Sequence, residues 1–364
     1  MSGAVDTGAV VATGAPSVVG KCSASVDRSP SVRMRRKMSL RWGRGARQPV
    51  IGVRQRGVAV TDWKNVGLLL SLGIGWGATQ PLGKIAASTG TGPFALMFLQ
   101  LVICTVVLGA VSLLRGKRLL WTRDAWIFYV TVALLGTLIP GFTFYTSVTR
   151  LPAGIMSILI ATVPLLAFPM TLVLGIDRVE PRRVRGLLLG IAGVALIALP
   201  RSSLPDPAMV AFLPLALIGP LFYAVEGTFV SRFGMAGMDP VQAMFGASLV
   251  GMVLCLPAVL VSGQWVDPFA RFDRAEQALV LSSVLHAMLY ATYVGLAARV
   301  GAVFAAQTSY IVTAAGLCWS IVLLGERFSP WIWAALPVML VGLTLVKPRP
   351  ASITGEKALV PGQR

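Results

Sequence analysis

The sequence predicts an all-α integral membrane protein in which ten transmembrane helices form two inverted five-helix repeats. Two observations carry this prediction: a composition too apolar for a soluble domain, and an internal duplication of hydrophobic segments. The chain is 55% hydrophobic and 13% charged, with a mean hydropathy of +0.77, whereas soluble domains carry about 25% charged residues. A membrane span needs about 20 mostly apolar residues, and a series of such segments follows residue 62.

An internal duplication divides the chain. Residues 150–200 and 299–349 form two copies of one pattern, 149 positions apart and without a gap. Each copy consists of a hydrophobic segment, a short charged loop and a second hydrophobic segment. The matching residues are Arg150 with Arg299, Ala153 with Ala302, Asp177 with Glu326, Arg178 with Arg327, Pro181 with Pro330, and Gly193 with Gly342. Duplicated hydrophobic units of this kind are typical of transporters built from two halves.

A weaker correspondence, at an offset of 147, extends the repeat to the first two spans of each half. It matches Trp76 with Tyr223, Thr79 with Glu226, and Pro93 with Pro240. Each half then has five spans, and because five is odd the second half must lie upside down relative to the first. We expect a basic tail at 1–62, a first repeat at 63–200, a second at 207–347, and a cytosolic tail at 348–364. The expected spans are 66–87, 93–114, 125–148, 152–175, 184–200, 208–231, 240–262, 278–297, 302–324 and 330–346.

The distribution of basic residues indicates the orientation. After residue 62, most of them lie in the loops after the second and fourth spans and in the tail after the tenth. Lys and Arg favour the cytosolic side of a membrane, so we expect both termini in the cytosol. The expected location is a bacterial plasma membrane, with an organellar membrane as the alternative. The basic residues assigned to the cytosolic side are Arg115, Lys117, Arg118, Arg123, Arg178, Arg182, Arg183, Arg185, Lys347, Arg349, Lys357 and Arg364.

The net charge of +18 lies largely in these loops and in the tail at 1–62, so it does not indicate nucleic-acid binding. That tail has too few large apolar residues to form a core. We favour a tail that touches anionic lipid, or an extension upstream of a true start at Met34 or Met38. An organellar targeting peptide is the second interpretation, and an RNA- or DNA-binding arm is the least favoured.

No pattern in the sequence indicates a cofactor, a metal site or nucleotide hydrolysis. The four cysteines, Cys22, Cys104, Cys255 and Cys318, form no CxxC motif and have no histidine at ligand spacing. We expect them to be small core residues. The absence of a glycine-rich dinucleotide fingerprint and of a P-loop lysine excludes a nucleotide-driven pump at the level of this chain.

The third-to-fifth spans of each half carry a resemblance to a known family. The segments are Tyr145 to Gly154 and Leu174 to Pro181 in the first half, and Gly295 to Ala302 and Leu324 to Pro330 in the second. Over residues 63–347 the chain resembles the EamA-type ten-helix members of the drug/metabolite transporter superfamily. The first copy departs from the family pattern, because Asp177 stands where the second copy has the usual glutamate. The resemblance implies a transporter of small metabolites, and the superfamily's substrates include amino acids, nucleobases, sugar phosphates and cationic drugs.

Two ionisable residues inside the spans narrow the search for a site. Of 14 Asp and Glu residues, Glu226 alone lies well within a span, and the sole histidine, His286, lies within another. A charge at the bilayer centre costs about 2.5–3.5 kcal/mol on insertion scales, so such residues usually face a cavity or a partner. For Glu226 the alternatives are a structural hydrogen bond, to a Ser or Tyr on a neighbouring helix, and a role in binding a substrate amine or carrying a proton. We favour the functional role for Glu226, with His286 as its partner if the sixth and eighth spans meet.

Helical spacing groups other polar and aromatic residues on shared faces of the first, sixth, eighth and ninth spans. Glycines and prolines interrupt the first and sixth spans, which are equivalent in the two halves. Such paired interruptions predict unwound helices at a binding site. The expected substrate-binding residues are Trp76, Thr79, Gln80, Tyr223, Glu226, His286, Tyr290, Gln307 and Tyr310.

Arg150 and Arg299 occupy equivalent positions, which inversion brings to opposite ends of the bundle. Anchoring at the membrane interface is the favoured interpretation, and gating of the pathway on opposite sides is the alternative.

These observations predict a secondary transporter or facilitator, with export as the expected direction, for a small polar metabolite such as an amino acid or related compound. Rocking of the inverted halves would give alternating access. The expected partners are the metabolite and the lipid bilayer, with protons as the candidate coupling ion and a homodimer left open. The alternatives are a passive channel and an integral-membrane enzyme acting on a lipid, which would need carboxylates for Mg²⁺ that the sequence does not group.

Overall fold

The computed structural model of the protein describes residues 63–173, 179–200, 202, 204–267, 272–300 and 308–345. Within these ranges every regular element is a helix and none is a strand, which confirms the all-α prediction. Several predicted features lie outside the described residues, namely both tails, Asp177, Arg178, Ala302, Gln307 and Cys22.

The described helices follow the predicted order of spans. A π-helical segment, Ala133–Leu138, joins α3 to α4, and a turn at 161–162 joins α5 to α6, so these two pairs form the third and fourth spans. The helices are α1 Trp63–Ala86, α2 Pro93–Leu114, α3 Arg123–Val132, α4 Ile139–Val148, α5 Ala153–Ile160, α6 Val163–Val173, α7 Pro181–Ala198, α8 Leu213–Phe233, α9 Pro240–Val261, α10 Arg274–Val300, α11 Thr308–Leu324 and α12 Pro330–Leu345.

Length and composition identify the helices that cross the membrane. Within the described ranges, five segments are long and apolar enough, and α11 and α12 are shorter apolar helices. The remaining three, α1, α7 and α10, contain more polar residues and pack against the apolar ones. The five segments are Pro93–Leu114, Arg123–Val148, Ala153–Met170, Pro207–Val230 and Pro240–Val261.

Exposed tryptophans mark both ends of the helical bundle. We call the end where α1 begins the basic end, because the loop from Arg115 to Arg123 lies there, and the other the opposite end. Trp63, Trp121 and Trp126 are exposed near the basic end, and Trp265, Trp331 and Trp333 near the opposite end. Tryptophan is enriched where membrane spans meet the headgroups, so these two groups fit the two faces of a bilayer.

α2 and α9 end in the same backbone geometry at equivalent positions of the repeat. Gly116 and Gly263 both have a positive φ, at 65° and 66°, which glycine adopts without a steric penalty. The backbone hydrogen bonds also match: the N–H groups of Gly116 and Lys117 bond to Leu113 and Ser112, and those of Gly263 and Gln264 bond to Leu260 and Val259. Each equivalent atom is 147 residues further along, as the weaker repeat predicts.

The two halves interlock instead of forming separate five-helix bundles. α1 of the first half packs against α10 and α11 of the second, and α8 of the second packs against α4 and α6 of the first. In addition, α2 packs against α9, α5 against α11, and α7 against α12. The last three contacts each join equivalent spans of the two halves. The contacts of α1 with the second half are equivalent to those of α8 with the first. A two-fold relation between the halves requires this pattern.

Equivalent helices run in opposite directions, which confirms the inverted repeat. Gly193 of α7 lies against Met339 of α12, whereas Gly342, further along α12, lies against Gly190, further back along α7. A Cβ on Gly342 would approach the Gly190 nitrogen to 3.0 Å. The glycines at 190, 193 and 342 therefore allow close helix packing.

The prediction that the first and sixth spans unwind is wrong. α1 and α8 continue through Pro81 and Pro220 as unbroken helices. The glycines of α1 serve close packing instead, because a Cβ at Gly77 would approach the backbone nitrogen of Gly316 to 2.7 Å. The irregular backbone lies in the third and fourth spans.

Candidate functional site

A small polar cavity lies at the interface between the two halves. Residues of α1, α2, the π segment, α4, α5, α8 and α10 form its walls. Its volume is about 80 Å³, enough for about two or three water molecules at roughly 30 Å³ each. The lining side chains that can form hydrogen bonds are Thr79, Gln80, Gln100, Thr137, Thr143, Tyr145, Tyr223, Ser282 and His286.

Glu226 of α8 lies directly behind the wall of this cavity. The residue is only 4% exposed, and its Oε1 accepts a hydrogen bond from the hydroxyl of Tyr290 on α10 at 3.0 Å. The carboxyl group packs against Gly136, which itself lines the cavity. A Cβ on Gly136 would lie 2.5 Å from Oε1, so only glycine leaves room for the carboxyl group in this arrangement.

The π segment brings Gly136 to this position. Pro140 has no N–H and cannot donate to the carbonyl of Gly136, as an α-helical register would require. The backbone widens, and the N–H of Ile139 bonds to the carbonyl of Leu134, five residues back. π segments are frequent at functional sites, and this one forms part of the cavity wall against Glu226.

Aromatic rings of α1 and α10 pack around Tyr290, the residue that donates to the carboxyl group. The Trp76 ring packs edge-on against Tyr293 at a centroid distance of 5.4 Å and against Tyr290 at 6.2 Å. The ring of His286 lies 6.2 Å from that of Tyr290. The face of α10 that carries positions 286, 290 and 293 therefore points toward α1 and α8.

Most of the predicted substrate-binding residues surround this cavity. Thr79, Gln80, Tyr223 and His286 line it, and Trp76, Glu226 and Tyr290 form a layer behind the wall. The remaining two do not join them: Gln307 lies outside the described residues, and Tyr310 is absent from the described lining. The Tyr310 hydroxyl is buried and has no hydrogen-bond partner in the described part of the chain.

Glu226 has a partner other than the expected one. The sixth and eighth spans do meet, but the hydrogen bond comes from Tyr290, and none joins Glu226 to His286 in the described structure. His286 lies one turn earlier on α10, where it faces the cavity. A tyrosine on a neighbouring helix was the structural alternative for Glu226, and it coexists with the position beside the cavity.

The two predicted arginines lie away from the cavity lining. The exposed Arg150 places its guanidinium carbon 5.8 Å from the centre of the Phe212 ring, just before α8. Arg299 belongs to the last turn of α10, and its side chain is outside the described part of the structure. Anchoring of the two arginines at the membrane interface stays a prediction.

Sequence reasoning missed several lining residues. Gln100 accepts a hydrogen bond from the Tyr145 hydroxyl through its Oε1 at 2.7 Å, and both residues line the cavity together with Ser282. Gln100 had a usable signal, as a lone amide within the second span. The only feature of the sequence that could have indicated the inward position of Gly136 is the proline at position 140.

A charged network joins three spans at the opposite end. The carboxylate of Glu326 accepts hydrogen bonds from the backbone N–H groups of Ala153 and Gly154, at 2.8 and 3.0 Å. It also pairs with the Lys84 ammonium group at 3.1 Å. Glu326 therefore caps α5 as an N-terminal anion does and connects it to α1.

The described residues offer no metal site. No group of three or more His, Cys, Asp or Glu side chains in the described ranges could hold a metal ion. Cys104 and Cys255 are buried, as expected of core residues, whereas Cys318 is exposed on α11.

Comparison with known proteins adds a family and a fold. The profile of the EamA-like transporter family matches residues 63–199 and again 211–347. An uncharacterized inner membrane transporter of Escherichia coli K12, YedA, is 24% identical over 286 residues, which cover 77% of this chain and 89% of YedA. An uncharacterized transporter of Bacillus subtilis, YvbV, is 28% identical over 204 residues, 56% of this chain and 64% of YvbV.

A solved structure supports the fold independently. A protein of known crystal structure aligns over 78% of this chain and 97% of its own, with a TM-score of 0.55 and 16% sequence identity. At this identity the similarity speaks to the fold alone.

Proposed function

This chain belongs to the EamA-like transporter family, and we propose that it is a secondary transporter or facilitator that exports a small polar metabolite, such as an amino acid or related compound. The observation that carries the proposal is the polar cavity between the inverted halves, with a buried carboxyl group behind its wall. Transporters with inverted repeats bind their substrates at this interface. We assign the protein to a bacterial plasma membrane with both termini in the cytosol.

The size of the cavity supports an alternating-access mechanism. At about 80 Å³ it is smaller than the roughly 300–1,000 Å³ of ligand pockets, so a substrate needs a wider form of the site. Contacts between spans restrain both ends: Lys84 pairs with Glu326 at the opposite end, and Arg115 lies 3.5 Å from Asp239 at the basic end. Widening toward one side at a time would separate one set of contacts while the other persists.

Glu226 has two candidate roles in this mechanism. It can carry a proton whose movement drives export, or it can bind a positively charged group of the substrate. No described lysine or arginine pairs with Glu226, so its charge is available for either role. Its carboxyl group packs against Gly136, which lines the cavity.

The experiment that tests the function needs no prior substrate. Metabolite profiles of cells with and without the protein should differ in one class of small polar solutes, and that solute should then cross proteoliposome membranes. Saturable uptake with counterflow supports a transporter, whereas conductance without counterflow identifies a channel. Chemical conversion of the solute by the purified protein would identify an enzyme.

The variant Glu226→Gln tests the residue that we expect to be the most important for transport. It preserves size and hydrogen bonding but removes the charge, so insertion should be normal and concentrative transport lost. Exchange of substrate should survive if the role of Glu226 is proton coupling. Wild-type accumulation with wild-type pH dependence would reduce Glu226 to a structural partner of Tyr290.

A further inference from the structure

We infer that the substrate carries one ammonium group with N–H donors and no carboxylate or phosphate, and that Glu226 and Gln80 bind this ammonium group. The inference rests on the proposed transport function and deepens it, because it selects one class from the small polar metabolites. In particular, it favours amines and amino-acid amides over free amino acids and sugar phosphates.

The charges around the cavity provide the first argument. None of its described lining residues is a lysine or an arginine, and its one basic side chain is the imidazole of His286. Proteins usually recognise carboxylates and phosphates through Arg or Lys. An anionic group bound here would therefore meet the Glu226 carboxyl group without a lysine or arginine to balance it.

Unused hydrogen-bond acceptors provide the second argument. Oε1 of Gln80 is buried at the cavity and has no partner in the described structure. Oε1 of Glu226 accepts from Tyr290, but no described residue donates to its Oε2, although a carboxylate can accept about four hydrogen bonds. A buried acceptor without a donor, such as Gln80 Oε1, is costly, and both side chains can accept hydrogen bonds from a ligand that brings several N–H donors.

The aromatic rings provide the third argument. Trp76 packs against both Tyr293 and Tyr290, the residue that donates to the carboxyl group, and Tyr223 lines the cavity one turn before Glu226 on α8. Aromatic faces attract organic cations, most strongly when water is excluded. A carboxylate beside several aromatic rings therefore favours a cation over a neutral solute of the same shape.

A neutral hydrogen-bonding group of the same solute has a place as well. Gln100 lines the cavity and accepts from the Tyr145 hydroxyl through its carbonyl, and its amide N–H groups are donors that it can offer to a ligand. An amide or hydroxyl oxygen could accept from them. This arrangement completes a site for an ammonium group at one end and a neutral acceptor at the other.

Four probes with one side chain test the inference. L-leucinamide is a monocation, L-leucine is a zwitterion, N-acetyl-L-leucinamide is neutral and N-acetyl-L-leucine is an anion. Comparing them separates the effect of the ammonium group from that of the carboxylate. The same four compounds in the alanine and phenylalanine series allow for side-chain preference, and thermal stabilisation of the detergent-purified full-length protein reports binding.

We expect the free-amine amide to bind best in at least one series. Acetylation of the amine, or replacement of the amide by the acid, should weaken binding at least about tenfold, the scale of one hydrogen bond to a charged group. Glu226→Gln should remove the preference for the cation, and Gln80→Met should weaken it. Because the probe series on the unmodified protein decides the charge preference, the test holds even if a variant fails to fold.

Two results would overturn the inference: tighter binding of a zwitterion, neutral compound or anion than of the matching cation, or no stabilisation by any free-amine amide at millimolar concentration. Transport of a neutral or anionic solute in proteoliposomes would leave the transporter function intact and remove only the cation assignment. An unchanged metabolite profile together with no binding would count against both.

Discussion

The ammonium group of Lys84 on α1 lies 3.1 Å from Oε1 of Glu326, in the loop between α11 and α12. The same carboxylate accepts the N–H groups that begin α5, at Ala153 and Gly154. Lys84 also donates to the Leu151 carbonyl at 2.8 Å. Spans from both halves are thus tied together at the end opposite to the basic loops.

Glu326→Gln should lower the stability of the protein more than Lys84→Met does. The first variant weakens a charged helix cap, at a cost of about 1 kcal/mol. Both variants remove the ion pair, whose lysine side chain is 30% exposed, and such pairs contribute less than about 1 kcal/mol. Lys84→Met also removes the hydrogen bond to the Leu151 carbonyl, but it leaves the charged cap of α5 in place. Unfolding temperatures in one detergent measure both, and equal temperatures for Glu326→Gln and the wild type would contradict the capping role.

Gly136→Ala should abolish transport while the protein still inserts. The added Cβ would lie 2.5 Å from Oε1 of Glu226, so the carboxyl group must leave its position beside the cavity. Uptake into proteoliposomes measures the loss.

Gly141→Ala is the matched control for that variant. Gly141 also lines the cavity, but its Cβ would meet only the flexible side chain of Met97, at 3.1 Å. Glu226→Asp shortens the acidic side chain and so leaves more room for the added Cβ. The double variant should therefore recover part of the transport that Gly136→Ala loses, because the two positions are in contact. Equal loss in both alanine variants, without rescue, would show that Gly136 has no special relation to Glu226.

Cysteines at Gly116 and Gly263 test the orientation. These equivalent glycines end α2 and α9 in exposed turns at opposite ends of the bundle. With cytosolic termini, an impermeant thiol reagent applied outside intact cells should label Gly263→Cys and spare Gly116→Cys. The reverse pattern would invert the topology.

Arg150→Lys should leave the accessibility of the cavity to thiol reagents unchanged. The Arg150 guanidinium lies over Phe212 rather than in the cavity, and lysine keeps the charge while losing the planar group. Altered labelling of a cavity cysteine from one side of the membrane would instead support gating.

The sequence predicted the elements that depend on local composition and on the repeat. Gly193 and Gly342, which the repeat matches, both lie at the α7–α12 contact, and Pro93 and Pro240, another matched pair, begin α2 and α9. Glu226 stood out because a carboxyl group within an apolar span needs a partner or a cavity.

Features that depend on packing between distant segments could not be predicted. Tyr290 and Glu226 are 64 positions apart, and their hydrogen bond requires that α8 and α10 meet at one depth. The inward faces of Gln100 and Ser282 follow from how the halves interlock. The same packing explains the wrong prediction for α1, where Gly77 accommodates a neighbouring helix instead of interrupting its own.

The central claim is that one cavity between the halves opens alternately to both sides of the membrane. Ser282 lines it, whereas its neighbour Ser283 is absent from the described lining, is fully buried and bonds to Leu279. Each serine is replaced by cysteine in a protein whose native cysteines are alanine, and an impermeant thiol reagent is applied to right-side-out and inside-out vesicles. The account predicts labelling of Ser282→Cys in both preparations and of Ser283→Cys in neither. Labelling of Ser282→Cys from one side only, or from neither, would contradict it.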